Sequence, residues 1–182
     1  MDAIARGQFE DFVAARSAAL FRTAWLLSGN RQDAQDLVQS ALERACRHWD
    51  RVAAAEQPEA YVRRILVNSV KDRWFARRRV VEVCFDDARP VPDAGPSPYR
   101  QIELRRAIIA ALMQLPAGER AVLVLRYYED LTEAEIARTL NCSAGTVKSQ
   151  ASRGLARLRR LLGLDANLAV DPAVRLLPGG DS

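Results

Sequence analysis

Gly145, Lys148, Ser149, Ser152 and Arg153 recur at a spacing that puts them on one edge of a helix, with Thr146 beside them. Ammonium, guanidinium and hydroxyl groups hydrogen-bond phosphates and base edges, and a glycine lets a backbone approach a groove. Between Ser143 and Arg160 there are five basic residues (Lys148, Arg153, Arg157, Arg159, Arg160) and no acidic one. Val147, Ala151, Leu155 and Leu158 supply the opposite, buried edge, and the amide of Gln150 lies next to it. The chemistry is recognition of a polyanion rather than bond making.

The elements that must hold this edge are legible just upstream. Thr132 is placed to cap a short helix whose first turn carries Glu133 and Glu135, acids that suit its positive end. Ile136, Ala137 and Leu140 give that helix a buried stripe, with a small residue where a second helix would cross it. Asn141 stands in the turn, being among the few non-glycine residues that adopt a left-handed backbone readily. Ser143 caps the second helix. Two helices around a tight turn, the second basic on its outer face, form a helix-turn-helix and point to duplex DNA.

A second constellation lies in the first half. Residues 8–28 are expected to be helical, with Phe9, Phe12, Val13, Leu20, Phe21, Ala24, Trp25 and Leu27 apolar, until Ser28-Gly-Asn30 breaks the run. Asn30 caps the next helix, with Asp33 in its first turn. Ala34, Leu37, Val38, Ala41, Leu42, Ala45 and Trp49 form its buried stripe, and Asp36, Gln39, Ser40 and Glu43 make a polar strip beside it. Such a strip is either solvated or a docking surface. Pro58 suits the first position of a further helix, expected to run to Arg79. Its segment 63–79 carries seven basic residues and one acid, interleaved with Trp74 and Phe75 and preceded by Tyr61. Asn68, Lys71, Arg73, Trp74 and Arg77 suit a melted strand: cations follow the backbone, aromatics stack on bases and an amide reads an exposed edge. Trp25 and Trp49 are expected in the core.

The chain of 182 residues has a formal charge of +4, unevenly spread. Residues 1–80 are net +4, 81–103 net −3, 104–163 net +5 and 164–182 net −2. Two basic blocks separated by an acidic segment suggest two grips on one polyanion. Pro90, Pro92, Pro96 and Pro98, with Gly95, mark 81–103 as an extended linker between two all-α domains. Helices are expected over 101–115 and 119–128, ahead of the helix-turn-helix, with Gly163 as its stop and 164–182 as a loose tail. No apolar run approaches the ~20 residues of a membrane span, and the first residues lack a signal-peptide core, so a cytoplasmic protein without membrane insertion is expected. Cys46, Cys84 and Cys142 are far apart and His48 is the lone histidine, which argues against a disulfide framework, a metal site or a cofactor.

This order of parts resembles that of an extracytoplasmic-function sigma factor of the sigma-70 family, over residues 8 to 163. Asp33-Ala-Gln-Asp-Leu-Val-Gln39 is similar to the family's motif for docking on the clamp of the largest RNA polymerase subunit. By that resemblance Asp33, Asp36, Leu37, Gln39, Ser40 and Glu43 bind core polymerase. Pro58 to Asn68, with Asp72-Arg73 and Arg77-Arg-Arg79, resembles the −10 segment. It implies contacts from Asn68, Lys71, Asp72, Arg73, Trp74 and Arg77, with the loop at 53–57 helping to pocket a flipped base. Leu115-Pro116, Arg120, Tyr127-Tyr128 and the helix-turn-helix resemble the −35 domain, implying contacts from Gly145, Thr146, Lys148, Ser149, Gln150, Ser152 and Arg153. The opening is similar to the SigE-like subgroup. The resemblance implies further partners: promoter DNA, the flap of the second-largest polymerase subunit and an anti-sigma factor. It also implies a connector that threads toward the polymerase active-site channel.

A stand-alone helix-turn-helix regulator is the competing reading. Such a protein usually dimerises on paired half-sites, and it would leave the Asp36 strip and the basic 63–79 helix without a use. A nuclease or helicase is disfavoured, since no Walker loop, metal cluster or nucleophile–base set is present.

Overall fold

The computed structural model describes residues 2–78 and 98–163, and at 74–78, 98–102 and 105 it describes the backbone alone. The described residues form helices and no strand, the expected all-α class. The chain separates into two units, within 1–81 and 82–182. The first holds α1 (Ala3–Ser28), α2 (Arg31–Arg47), α3 (Trp49–Ala53) and α4 (Pro58–Arg78). The second holds α5 (Pro98–Met113), α6 (Ala117–Tyr127), α7 (Glu133–Leu140) and α8 (Ala144–Leu161).

In the first unit α1, α2 and α4 pack on one another. Leu20, Leu26 and Leu27 of α1 meet the α2 stripe of Ala34, Leu37, Val38, Ala41 and Ala45, and Val62, Leu66, Val67 and Val70 of α4 complete the interior. Each fully buried leucine contributes roughly 1.5–3 kcal/mol relative to exposure. The helix boundaries follow from their ends. Gly29 takes the left-handed conformation (φ 74°) that closes α1, and Asn30 Oδ1 accepts from the backbone N–H of Gln32 (2.8 Å) and Asp33 (3.1 Å) to start α2. The α1 helix starts at Ala3 rather than residue 8, because Asp2 caps it by accepting from Ala5 N–H at 2.8 Å. The α2 stripe does not run unbroken to Trp49. The chain leaves the helix at His48, and Trp49 opens the short α3, buried against Phe9 and Phe12 at centroid distances of 5.1 and 5.4 Å. Trp49 is therefore a core residue, as expected, while Trp25 is half-buried.

In the second unit α6 is the central helix, with Ala121, Val122, Leu123, Val124 and Leu125 all buried. The α5 helix begins at Pro98, inside the expected linker of 81–103, because proline lacks the N–H that a first helical turn leaves unused. The expected linker core at 81–97, the tail at 164–182 and Cys84 lie outside the described residues. Arg120 is half-buried and donates to the Met113 carbonyl at 3.2 Å. Burial pushes its guanidinium down to about 10, so it stays charged at neutral pH; the cost of holding that charge fades only as the pH rises through 10.

The two helices of the turn motif are capped as expected. Thr132 Oγ1 accepts from Glu135 N–H at 3.3 Å while Glu135 Oε2 accepts from Thr132 N–H at 2.8 Å, a reciprocal capping box. Asn141 is left-handed (φ 51°, ψ 55°), and Ser143 Oγ accepts from Thr146 N–H at 3.1 Å. Thr132→Ala removes the hydroxyl that accepts from Glu135 N–H and leaves only the bond from the residue's own backbone N–H to Glu135 Oε2. We expect a loss of about 1 kcal/mol, read as a lower thermal midpoint by circular dichroism, with Thr132→Ser near wild type.

Candidate functional site

On α8 the buried edge is Val147, Ala151, Gly154 and Leu158. Leu155, expected there, is only half-buried, and Gly154 takes its place because α6 comes too close for anything larger than a methyl group. A Cβ at 154 would lie 3.1 Å from Leu123 Cδ1 and 3.3 Å from Glu119 Cβ. The opposite edge is open: Gly145, Lys148, Ser149, Ser152 and Arg153 are all exposed. Thr146 is half-buried with its hydroxyl 2.9 Å from that of Ser143, and the Ser149 hydroxyl donates to the Thr146 carbonyl at 3.0 Å. Gln150 is turned toward α6, its amide 3.0 Å from where a Cβ of Gly118 would stand, so its side chain packs instead of facing outward.

The cations of α8 are not free of acids. Lys148 Nζ is 3.7 Å from Glu133 Oε2, and Glu133 also accepts from Arg126 at 3.1 Å. Arg153 and Arg157 both approach Glu119, at 3.9 and 3.2 Å. Glu119 is the one buried acid among the described residues, 7% exposed in the first turn of α6. The Arg157 contact has ion-pair distance without hydrogen-bond alignment. These acids were invisible as partners from spacing alone.

On α2 the polar strip stands as expected: Gln39, Ser40 and Glu43 are exposed and Asp36 half-exposed. Gln39 donates to Glu43 at 3.0 Å and Gln32 to Asp36 at 3.4 Å. Leu37 departs from its expected role. It is 4% exposed, so it holds α2 against the core and does not stand on the exposed strip. Beside the strip runs an open apolar groove of about 800 Å³ between α1 and α2, lined by Phe9, Val13, Phe21, Val38, Leu42 and Cys46, with Gln39 and Glu43 on its rim. Its signal in the sequence was the set of apolar residues on α1, of which Phe9, Val13 and Phe21 are only half-buried.

On α4 Tyr61 and Arg64 are exposed and Asn68 and Lys71 half-buried, with exposed Asp72 on the same helical face, opposite the buried valines. Tyr61 and Arg64 join the candidates for strand contact. Below them the loop before Pro58 borders a recess of about 370 Å³ lined by Phe12, Arg16, Gln57, Pro58, Ala60 and Arg63. The side chains of Trp74 and Arg77 lie outside the described residues. Arg73 points away from this face: its Nη1 is 3.0 Å from Asp33 Oδ1 and its Nη2 3.5 Å from Asp36 Oδ2.

Among the described residues no group of three or more His, Cys, Asp or Glu is placed to hold a metal, and Cys46 and Cys142 are free thiols. No described helix is long and apolar enough to cross a membrane.

Comparison with known proteins gives the same division. The family model described as Sigma-70 region 2 matches residues 12–80, and that described as Sigma-70, region 4 matches residues 105–158. The chain is 38% identical over 156 residues to the RNA polymerase sigma-E factor of Streptomyces avermitilis, covering 85% of each protein. It is 33% identical to the ECF RNA polymerase sigma factor SigM of Mycobacterium tuberculosis over 87% of this chain and 79% of that one. Among solved structures, the sigma factor RpoE in complex with the anti-sigma factor NepR from Bartonella quintana superposes with a TM-score of 0.66 at 25% identity. That match covers 87% of this chain and 98% of RpoE.

Proposed function

The chain belongs to the sigma-70 family as an extracytoplasmic-function sigma factor, a factor that directs transcription initiation, and on that premise we propose how its surfaces divide the work. The first unit, residues 1–80, binds core polymerase through Asp36, Gln39, Ser40 and Glu43 of α2. The largest subunit's clamp lies along the strip, with the apolar groove as its neighbour. The same unit holds the melted −10 strand on α4 through Asn68, Lys71 and Asp72, joined by Tyr61, Arg64, Trp74 and Arg77. The second unit, residues 104–163, meets the polymerase flap and sets α8 into the major groove at the −35 element. There Gly145, Lys148, Ser149, Ser152 and Arg153 face the duplex, and Thr146 and Gln150 brace the helix. Residues 81–103 connect the two, and 164–182 form a tail. The chemistry of RNA synthesis belongs to the polymerase; this chain contributes no catalytic group, metal or cofactor and acts in the cytoplasm. An anti-sigma factor is a further partner, supported by RpoE in its complex with NepR.

The observation that carries this reading is the pair of outward faces on the first unit, anionic on α2 and cationic with an aromatic on α4. A stand-alone regulator has no use for either. Run-off transcription with purified core polymerase on a library of promoter fragments tests it. Factor-dependent transcripts from a subset of fragments are expected, whereas a stable dimer binding duplex DNA without polymerase would favour the regulator.

Lys148→Ala removes an exposed cation from the recognition edge. We expect about 1 kcal/mol weaker promoter binding by the holoenzyme, with the salt dependence of log K reduced by about one unit of slope. Titrations at several salt concentrations measure both.

A further inference from the structure

Arg73 directs its charge into the protein. Its Nη1 lies 3.0 Å from Asp33 Oδ1 and 3.4 Å from the Asp33 carbonyl, and its Nη2 lies 3.5 Å from Asp36 Oδ2. Asp33 stands in the first turn of α2 with its side chain 14% exposed, while the side chain of Asp36, one turn on, is 46% exposed. A carboxylate as buried as Asp33 needs a partner, whereas Asp36 is open enough to meet a second molecule as well. A planar guanidinium can serve both acids with separate N–H groups; an ammonium is a single point of charge.

We propose that Arg73 is a positioning residue for polymerase docking. Through Asp33 it fixes the first turns of α2 on α4, and through its second amino group it sets the direction in which the Asp36 carboxylate is presented. The inference rests on the docking role proposed for Asp36. It takes Arg73 out of the strand-binding set: its two amino groups already serve two carboxylates, and a DNA phosphate would have to draw them away from both.

The test is titration of the labelled full-length chain with core polymerase, using Asp36→Asn, Arg73→Gln, Arg73→Lys and both double variants with Asp36→Asn. Arg73→Gln is expected to weaken core binding about tenfold in the wild-type background and less than threefold when Asp36 is already Asn, because coupled residues are not additive. Arg73→Lys keeps the charge but not the fork and should lose about threefold, again only with Asp36 present. It carries the test by itself if the Gln variant unfolds. A second readout is binding of a single-stranded −10 oligonucleotide by holoenzyme assembled at saturating core. A tenfold loss there with Arg73→Gln would overturn the proposal, as would equal losses of core affinity in the two backgrounds. If Asp36→Asn weakens core binding and both Arg73 variants do not, the positioning role falls and the docking reading stands. If Asp36→Asn itself changes nothing, the docking reading fails.

Discussion

Asp36→Arg is expected to abolish binding of core polymerase while leaving the fold in place. The carboxylate stands at the N-terminal end of the strip, its side chain 46% exposed, so an arginine there can swing into water instead of colliding with Arg73. Reversing the charge removes an attraction to the clamp and sets a repulsion in its place. Loss of one partner from a buried, hydrogen-bonded interfacial charge pair costs about 2–5 kcal/mol, a fall of roughly thirtyfold or more in affinity. Titration with core polymerase measures the loss, and an unchanged circular-dichroism melt separates it from unfolding. Wild-type run-off transcription by this variant would remove α2 as the docking element.

Gly154→Leu should destabilise the second unit by about 3 kcal/mol, the upper end of what overpacking a core costs. The Cβ alone would stand 3.1 Å from Leu123 Cδ1, and Leu123 is fully buried, so the rest of the side chain finds no space without parting α6 from α8. A thermal midpoint lowered by more than 10 °C is expected for a unit of this size, at roughly 4–8 °C per kcal/mol. Promoter binding should fail because α8 loses its seat, while core binding through the first unit persists. Gly154→Ala is the informative control. Its gain in helix propensity of about 1 kcal/mol works against the 3.1 Å contact, so a midpoint near wild type is expected.

Helix ends were legible before any packing was known. Asn30, Thr132, Asn141 and Ser143 each took the expected capping or turn role, because a cap is a local hydrogen bond between a short polar side chain and a backbone N–H a few residues away. Most of the buried stripes of α2 and α8 was legible for a similar reason, since 3.6-residue periodicity is written in neighbouring residues, although Leu42 and Leu155 are only half-buried. What escaped was long-range or steric. The break at His48 is hidden because Trp49 keeps the apolar period of the α2 stripe. Gly154 in the core carries no hydrophobic signal; it is buried because another helix needs the space. Arg73 looked like a strand contact from its cationic neighbours, yet it pairs with Asp33 forty residues away. The family motif named Leu37 among docking residues, although its own periodicity put it on the buried stripe.

The acids behind the recognition helix have a consequence for how firmly it can hold anything. Lys148 leans toward Glu133, and Arg153 and Arg157 share Glu119. A phosphate that recruits any of these cations must compete with a carboxylate already in place, so the grip is softer than five positive charges would suggest. In the −35 role proposed for it, a module attenuated in this way would let go of arbitrary duplex readily, and lasting attachment would fall to the sum of its contacts with those of the other unit.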